Sequence, residues 1–251
     1  MLHFDLRTAT GVAQIDQTMM CLVDLMDLVF PDRVRGYYLE GSYVDGSANT
    51  LSDLDIVVVF KHALSEAESQ TFKRLLGACK QISSCALDIA VLGEDALFAV
   101  DTADFRDDAL LVLTATTLKF ASQPVHGDDV RAHIPQVPLD TYTRVLMHFP
   151  ALVMAGPRGH PQILPFPIES PDPTDQFLGY TGRRLRGRDG RVYPSTKRIV
   201  HSTAFIASAL LAYHVGQYSP TKRQAMTSYE QHFDDKWAPF LREVHEHCYV
   251  R

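Results

Sequence analysis

The sequence predicts a mixed α/β sheet with helices packed on it, followed by an all-α domain. Short apolar runs that are typical of strands alternate with amphipathic helices in the first half of the 251-residue chain. From Tyr193 onward the spacing of apolar residues is helical. We therefore predict two domains, residues 1–130 and residues 131–251, with a proline-rich loop at about 150–195 in the second domain.

The elements of the first domain follow from apolar periodicity and from turn and capping signals. A capping box, Ser65-Glu66-Ala67-Glu68, marks the start of the helix between the second and third strands. The remaining predictions are a helix at 11–30, strands at 37–40, 55–60 and 85–92, a helix at 104–121 and a turn at 123–129. In the second domain we predict a buried helix at 199–213 and a last helix from Trp237 to Cys248.

The composition, with 46% hydrophobic and 22% charged residues, is that of an ordinary soluble protein. No apolar run approaches the length of a transmembrane helix, so no membrane partner is expected. The N-terminus lacks the features of a secretory signal, and the four cysteines form no Cys-x-x-Cys pair. We therefore expect a cytoplasmic protein with reduced thiols. The net charge of −6 disfavours broad attraction to nucleic acid, which stays possible as a less favoured partner.

The most informative segment joins a glycine–serine pair to two acidic residues. An aromatic and apolar run ends in Gly41-Ser42, and after ten intervening residues Asp53 and Asp55 open an apolar strand. Because successive side chains on a strand alternate between its faces, Asp53 and Asp55 face the same side. Two adjacent like charges are unfavourable unless a cation shares them. The pair therefore suits Mg²⁺, which binds one or two carboxylates together with phosphate oxygens and water.

These residues resemble the signature of the nucleotidyltransferase superfamily, in which Gly-Ser precedes Asp-x-Asp at the head of a strand. The superfamily has a third acid on a neighbouring strand, and Asp88 fills that position. The resemblance implies that Gly41, Ser42 and Ser52 contact ATP. It also implies that the Asp-x-Asp pair and Asp88 bind Mg²⁺ and act in catalysis. Asp88 is then either a metal ligand or the general base that takes the proton from the acceptor hydroxyl.

The C-terminal part resembles, more loosely, the helical domain of streptomycin- and spectinomycin-type aminoglycoside adenylyltransferases. In that family a Gly-x-x-x-Pro-Lys-type turn opens a helix whose lysine reaches the nucleotide phosphates, and the segment from Gly216 to Lys222 is similar. With Ser219 as N-cap, Lys222 lies in the first helical turn, where the helix dipole disfavours a cation unless an anion accompanies it. A solvated surface lysine is the alternative. The resemblance also implies a nucleotide contact for Tyr249.

Two features depart from the pattern of that family. Its arginine in the buried helix before the lysine has no counterpart in Ala207-Ser208-Ala209, and its usual third acid is Glu, which is one methylene longer than Asp88. The basic segment Arg183–Arg191 is a candidate for binding triphosphate or a nucleic-acid substrate, and a solvated loop is its alternative.

The predicted activity is Mg²⁺-dependent transfer of a nucleoside monophosphate, AMP from ATP, to a hydroxyl of a small-molecule acceptor, with release of pyrophosphate. An aminoglycoside-like compound is one candidate acceptor. Two alternatives remain, namely nucleotidyl transfer to protein or RNA and a non-catalytic nucleotidyltransferase-like antitoxin or binding protein. The residues define neither the acceptor nor the oligomeric state.

Overall fold

The computed structural model describes residues 6–103, 108–154, 184–187 and 189–249. The chain divides into two compact units, and each consists of two separate segments of the chain. Residues 1–48 and 52–137 form the first unit, and residues 49–51 and 138–251 form the second. None of the helices in the described part of the chain has the length and hydrophobicity of a transmembrane span.

The first unit contains a four-stranded sheet and the helices associated with it. Its elements are α1 (Ala13–Val29), β1 (Val34–Glu40), α2 (Ser42–Asp45), β2 (Leu54–Phe60), α3 (Glu66–Ile82), β3 (Leu87–Gly93), α4 (Glu94–Phe98), α5 (Ala109–Ala121) and β4 (Gln123–Gly127). Three predicted strands and the helices that precede and connect them are therefore present.

The sheet mixes parallel and antiparallel pairs, as the sequence predicted. Its strand order is β3-β2-β1-β4. β2 and β3 are parallel and are connected through α3, whereas β1 is antiparallel to both β2 and β4. α3 begins at the predicted capping box, in which the Glu68 amide donates to Ser65 Oγ and the Ser65 amide donates to the Glu68 carboxylate.

The turn predicted at residues 123–129 is wrong, because Gln123–Gly127 forms the edge strand β4. Val125 is buried, and the β1 backbone provides the hydrogen-bonding partner for the segment. The strand was not predicted because it contains Pro124, and proline cannot donate a hydrogen bond to a neighbouring strand. An edge strand tolerates such a residue because one of its sides needs no partner.

The core of the first unit forms on the apolar stripe of α1 and on the buried strands. The stripe contributes the fully or almost fully buried residues Ile15, Met19, Leu22, Val23 and Met26. In β1, Tyr37, Tyr38 and Leu39 are all at most 1% exposed. A strand that is buried on both faces carries a continuous apolar run instead of alternation. Acidic residues therefore occur only at the ends of these strands, whose other residues are mostly apolar.

The second unit is mainly helical, which confirms the predicted helical C-terminal region. Its elements are α6 (Leu139–Met154), β5 (Arg184–Arg186), β6 (Val192–Pro194), α7 (Lys197–Val215), α8 (Lys222–His232) and α9 (Ala238–Val244), followed by a π-helical turn at His245–Tyr249. α7, α8 and α9 share an apolar core that includes Ala204, Met226, Tyr229 and Leu241.

Two details of the second unit differ from the prediction of an all-α domain with a loop at 150–195. β5 and β6 form an antiparallel hairpin inside the predicted loop. Its turn is closed by hydrogen bonds from the Gly187 amide to the Arg191 carbonyl and from the Gly190 amide to the Gly187 carbonyl. In addition, α6 continues through Pro150 to Met154, inside the segment that we predicted to be a loop. The pyrrolidine ring removes one helical hydrogen bond, which a helix can tolerate when packing holds it.

The start of α8 also differs in detail. Thr221, and not Ser219, is the N-cap, and its hydroxyl accepts a hydrogen bond from the Gln224 amide at 3.1 Å. Ser219 is 1% exposed, and its carbonyl accepts a hydrogen bond from Ser208 Oγ at 2.8 Å. Lys222 is therefore the first residue of the helix, inside the predicted first turn.

Parts of two predicted segments lie outside the described residues. They are residues 104–107 of the helix predicted at 104–121, and residues 155–183 and 188 of the predicted proline-rich loop.

Candidate active site

The start of β2 presents two acidic residues on one face of the sheet. Asp53 directly precedes the strand, and Asp55 is its second residue. Leu54 and Ile56 belong to the apolar core and are only 0% and 3% exposed. Both acids remain partly exposed. The alternation of side chains on a strand therefore separates the carboxylates from the core, as the sequence predicted.

Strand register adds acids from the two neighbouring strands to this face. Glu40, the last residue of β1, lies directly opposite Asp55 in the antiparallel pair. Asp88 lies opposite Asp55 in the parallel pair with β3. Because residues directly opposite each other project from the same face, Glu40, Asp55 and Asp88 form a row across three strands.

Three of these acids lie close enough to share a cation. Carboxylate oxygens of Asp53, Asp55 and Asp88 all lie within 4.8 Å of one another. Such oxygens are the ligands that Mg²⁺ prefers in proteins. Asp88 is exposed and the other two are partly exposed, so phosphate oxygens and water can complete a coordination shell. The donor set therefore fits a divalent cation.

Gly41 connects β1 to α2 in a backbone conformation that few other residues can adopt. Its φ of 70° and ψ of −145° lie in a region that is essentially restricted to glycine. A β-carbon at this position would collide with the Asp55 carboxylate. The absence of a side chain at Gly41 therefore leaves room for the Asp55 carboxylate.

The two serines of the predicted ATP site flank this region in sequence. Ser42 is the first residue of the short helix α2, and its carbonyl accepts a hydrogen bond from the Ser47 amide at 3.0 Å. Ser52 directly precedes Asp53, and both serines are partly buried. Their contacts with ATP remain predictions.

Glu40 is a residue of this face that the sequence analysis did not assign to the site. Part of the residue is exposed, but its Oε1 atom is buried, and no described residue gives that atom a hydrogen bond. Burial raises the pKa of the Glu40 carboxyl well above its usual range, and the charges of Asp55 and Asp88 raise it further. The sequence offered one sign of this, because Glu40 directly precedes Gly41. Its position becomes informative only when the β1–β2 register places Glu40 opposite Asp55.

Comparisons with known proteins show what this part of the chain is similar to. Residues 27–107 match the family model of the nucleotidyltransferase domain. The matched segment contains Gly41, the Asp-x-Asp pair and Asp88. No curated protein matches the chain in a sequence search.

A solved structure extends the similarity beyond the nucleotidyltransferase domain. The chain is similar to spectinomycin adenyltransferase AAD(9) from Enterococcus faecialis, solved with ATP and spectinomycin, at 10% identity and a TM-score of 0.57. The match covers 94% of this chain and 90% of that chain, and it shows a shared fold. A toxin–antitoxin structure with AMP-PNP matches 45% of this chain and 73% of that chain at 18% identity. Its TM-score of 0.27 is too low to indicate a shared fold.

Lys222 and Tyr249, which are predicted to contact ATP, belong to the second unit. Lys222 is the first residue of α8 and is partly buried. Tyr249 is the last residue of the π-helical turn and packs against the core that α7, α8 and α9 share. Its ring centroid lies 5.9 Å from that of His245. Nucleotide binding by Lys222 and Tyr249 remains a prediction.

The basic segment Arg183–Arg191 contains β5 and the turn of the β5–β6 hairpin. Arg186 and Arg191 are exposed. In the turn, Asp189 accepts hydrogen bonds from the Arg191 amide at 3.1 Å and from the Tyr193 hydroxyl at 2.6 Å. The hairpin therefore carries Arg184, Arg186 and Arg191, whereas Arg183 and Arg188 lie outside the described residues. Phosphate binding by this segment remains a prediction.

Proposed function

We propose that the protein transfers a nucleoside monophosphate, AMP from ATP, to a hydroxyl of a small-molecule acceptor and releases pyrophosphate. The observation that carries this proposal is the cluster of Asp53, Asp55 and Asp88 on the sheet of a nucleotidyltransferase domain. The shared fold with an adenyltransferase solved with ATP and spectinomycin supports a nucleotide and a small molecule as the two substrates.

The proposed metal ligands are Asp53 and Asp55, with Asp88 as a further candidate. Bound Mg²⁺ would neutralise phosphate charge and polarise the α-phosphoryl group. Gly41 and the two serines of the site donate hydrogen bonds to the phosphates from backbone amides and hydroxyls. Lys222 and Tyr249 supply further contacts to the nucleotide.

The chemical step is an in-line displacement at the α-phosphorus of ATP. The acceptor oxygen forms a new bond to phosphorus while the bond to pyrophosphate breaks. The hydroxyl proton passes to Asp88, whose exposed carboxylate is accessible to an acceptor. Asp88 also lies within 4.8 Å of the Asp-x-Asp oxygens, so we propose a mixed role that leans towards the general base. Positioning and charge neutralisation provide most of the rate enhancement.

Replacing Asp88 separates the two roles of its carboxylate. If Asp88 is mainly the base, Asp88→Asn should keep nearly unchanged Mg-ATP affinity while turnover falls roughly 10²- to 10⁴-fold. Calorimetric Mg-ATP affinity and single-turnover rates over a Mg²⁺ series provide the measurement. A shifted Mg²⁺ dependence would assign Asp88 to a metal site, and full turnover would contradict both roles.

The acceptor is identified by incubating the protein with α-labelled ATP and a panel of candidate acceptors. The panel contains spectinomycin, other aminoglycosides, simpler hydroxylated small molecules, RNA and protein. We expect label to appear on a small molecule in a Mg²⁺-dependent manner and pyrophosphate to be released in equal amount. Label on RNA or protein would replace the small-molecule acceptor, and an absence of Mg²⁺-dependent transfer to every acceptor would contradict the proposal.

A further inference from the structure

The basic β5–β6 hairpin has no role in the proposed reaction. Residues 183–191 contain five arginines and one aspartate, in a chain whose net charge is −6. Such a segment is either a phosphate-binding site or a solvated loop. The contacts of its turn and the pairing of its charges favour phosphate binding.

The turn of the hairpin packs on the loop that leads into the acidic strand β2. Gly187 is buried, and a β-carbon at this position would lie 3.4 Å from Leu51 Cδ2. Asn49 orders this loop, because its Oδ1 atom accepts a hydrogen bond from the Leu51 amide at 2.8 Å. Residues 49–51 belong to the same compact unit as the hairpin, unlike the chain on either side of them. A solvated loop needs no such anchoring.

Chain connectivity brings the anchored turn close to the proposed nucleotide site. Leu51 directly precedes Ser52, a predicted ATP contact, and stands two residues before Asp53, a proposed metal ligand. Two residues of chain span at most about 7 Å. A nucleotide bound at Ser52 and Asp53 would therefore have its phosphates near the hairpin turn.

Arg186 is the arginine of the hairpin whose charge is open to a ligand. It is the last residue of β5, next to Gly187, and its side chain is exposed. Arg191 is also exposed, but Asp189 offsets its charge. The Tyr193 hydroxyl and the Arg191 charge lower the pKa of the Asp189 carboxyl, so this carboxyl is ionised at neutral pH. Within the described part of the chain, Arg186 forms no ion pair.

We propose that Arg186 binds the outer phosphates of ATP and stabilises the pyrophosphate that leaves. A guanidinium group suits this role, because its planar fork donates two parallel hydrogen bonds to phosphate oxygens and stays charged. The α-phosphorus must remain open to the acceptor. A further cation therefore belongs on the outer phosphates, where negative charge develops as the bond to pyrophosphate breaks. This inference rests on the proposed function, since it adds a residue to the same nucleotide site.

The test compares calorimetric affinities for ATP, pyrophosphate and AMP between the wild type and Arg186→Gln. Glutamine keeps a polar side chain on the exposed strand and removes the charge. We expect ATP and pyrophosphate affinity to fall roughly ten- to a hundredfold, the factor for a lost hydrogen bond to a charged group, while AMP affinity changes little. Arg74→Gln, the same change at an exposed arginine of α3, is the matched control and should bind all three ligands like the wild type.

Gly187→Val tests whether the anchored turn positions Arg186. A β-carbon at Gly187 would come within 2.6 Å of Asp189 Oδ1, so the larger side chain should shift the turn. We expect the same selective loss for ATP and pyrophosphate. Combining this change with Arg186→Gln should add little, because both remove one contact. Circular dichroism verifies the fold of each variant, and additive losses would contradict the positioning of Arg186 by the turn.

The outcomes distinguish this inference from the proposed function. Unchanged ATP and pyrophosphate affinity in Arg186→Gln would overturn the inference, including the case in which the variant loses affinity for RNA instead. Equal losses for ATP, pyrophosphate and AMP would also overturn it. If the selective loss is found but the wild type transfers no nucleotide to any acceptor, the proposed function fails and the phosphate contact of Arg186 stands.

Discussion

At the scale of single residues, Gly41 links backbone conformation to the geometry of the site. Gly41→Ala places a β-carbon against the Asp55 carboxylate and forces alanine into a conformation that costs about 1–3 kcal/mol. We expect a lower free energy of unfolding together with weaker Mn²⁺ binding, measured by denaturant titration and calorimetry.

Gly46 provides the matched control for this substitution. It also has a positive φ, 74°, but no atom lies within 4 Å of the position that a β-carbon would take. Gly46→Ala should therefore cost some stability through backbone strain and leave Mn²⁺ affinity unchanged. Equal effects of the two substitutions on Mn²⁺ affinity would show that cation binding does not depend on the room that Gly41 leaves for the Asp55 carboxylate.

A second prediction at this scale concerns Lys222, the first residue of α8. Its side chain is proposed to meet the outer phosphates of ATP, so Lys222→Ala should weaken ATP and pyrophosphate binding far more than AMP binding. A hydrogen bond to a charged group contributes about 1.5–3 kcal/mol, roughly a ten- to hundredfold change in affinity. Calorimetry with the three ligands measures the difference, and Lys236→Ala is the control. Equal losses for ATP and AMP would contradict a contact with the outer phosphates.

At the scale of elements, the start of α3 makes stability depend on pH. Glu68 Oε1 accepts a hydrogen bond from Arg33 Nε at 2.8 Å, and Oε2 accepts one from the Ser65 amide at 2.8 Å. The hydrogen bond with Arg33 and those with Ser65 lower the pKa of Glu68 to about 2. A lowered pKa in the folded state means that this stabilisation is present above the unfolded pKa of about 4.3 and is lost as pH falls towards 2.

Glu68→Gln should therefore be less stable than the wild type at pH 7, and the difference should shrink as pH falls from about 4.5 to 2. Denaturant unfolding over that pH range measures it. Glu66→Gln, at the exposed start of the same helix, should stay within about 0.5 kcal/mol of the wild type. A Glu68→Gln difference that does not change with pH would show that the ionised carboxylate contributes nothing.

Elements with strong local signals were predictable from the sequence. The capping box at Ser65 and the apolar stripe of α1 depend on residues close together in the chain, and both are present. β4 was missed because its partner, β1, is distant in sequence and Pro124 disguises the strand. The β5–β6 hairpin was missed because its glycines and arginines suggest a solvated loop, while antiparallel pairing decides the structure.

At the scale of the whole molecule, the aspartates of the candidate site were predictable whereas Glu40 was not. Asp53 and Asp55 share a face through strand alternation, which sequence alone defines. Asp88 entered through a family resemblance, and the parallel β2–β3 register places it beside the pair. Glu40 needed the antiparallel β1–β2 register and knowledge of its burial. Neither follows from local spacing.

The central claim is that the sheet carboxylates form a metal-dependent ATP site, and calorimetric titration of ATP over a Mg²⁺ series tests it most directly. We predict that Asp53→Asn and Asp55→Asn abolish Mg²⁺-dependent ATP binding while the fold is retained, because each removes an anionic ligand of the cation. Asp95→Asn, which alters an exposed ion pair with His62 in the same unit, should bind Mg-ATP like the wild type. An unchanged Mg²⁺ titration in either Asp53→Asn or Asp55→Asn would contradict the claim.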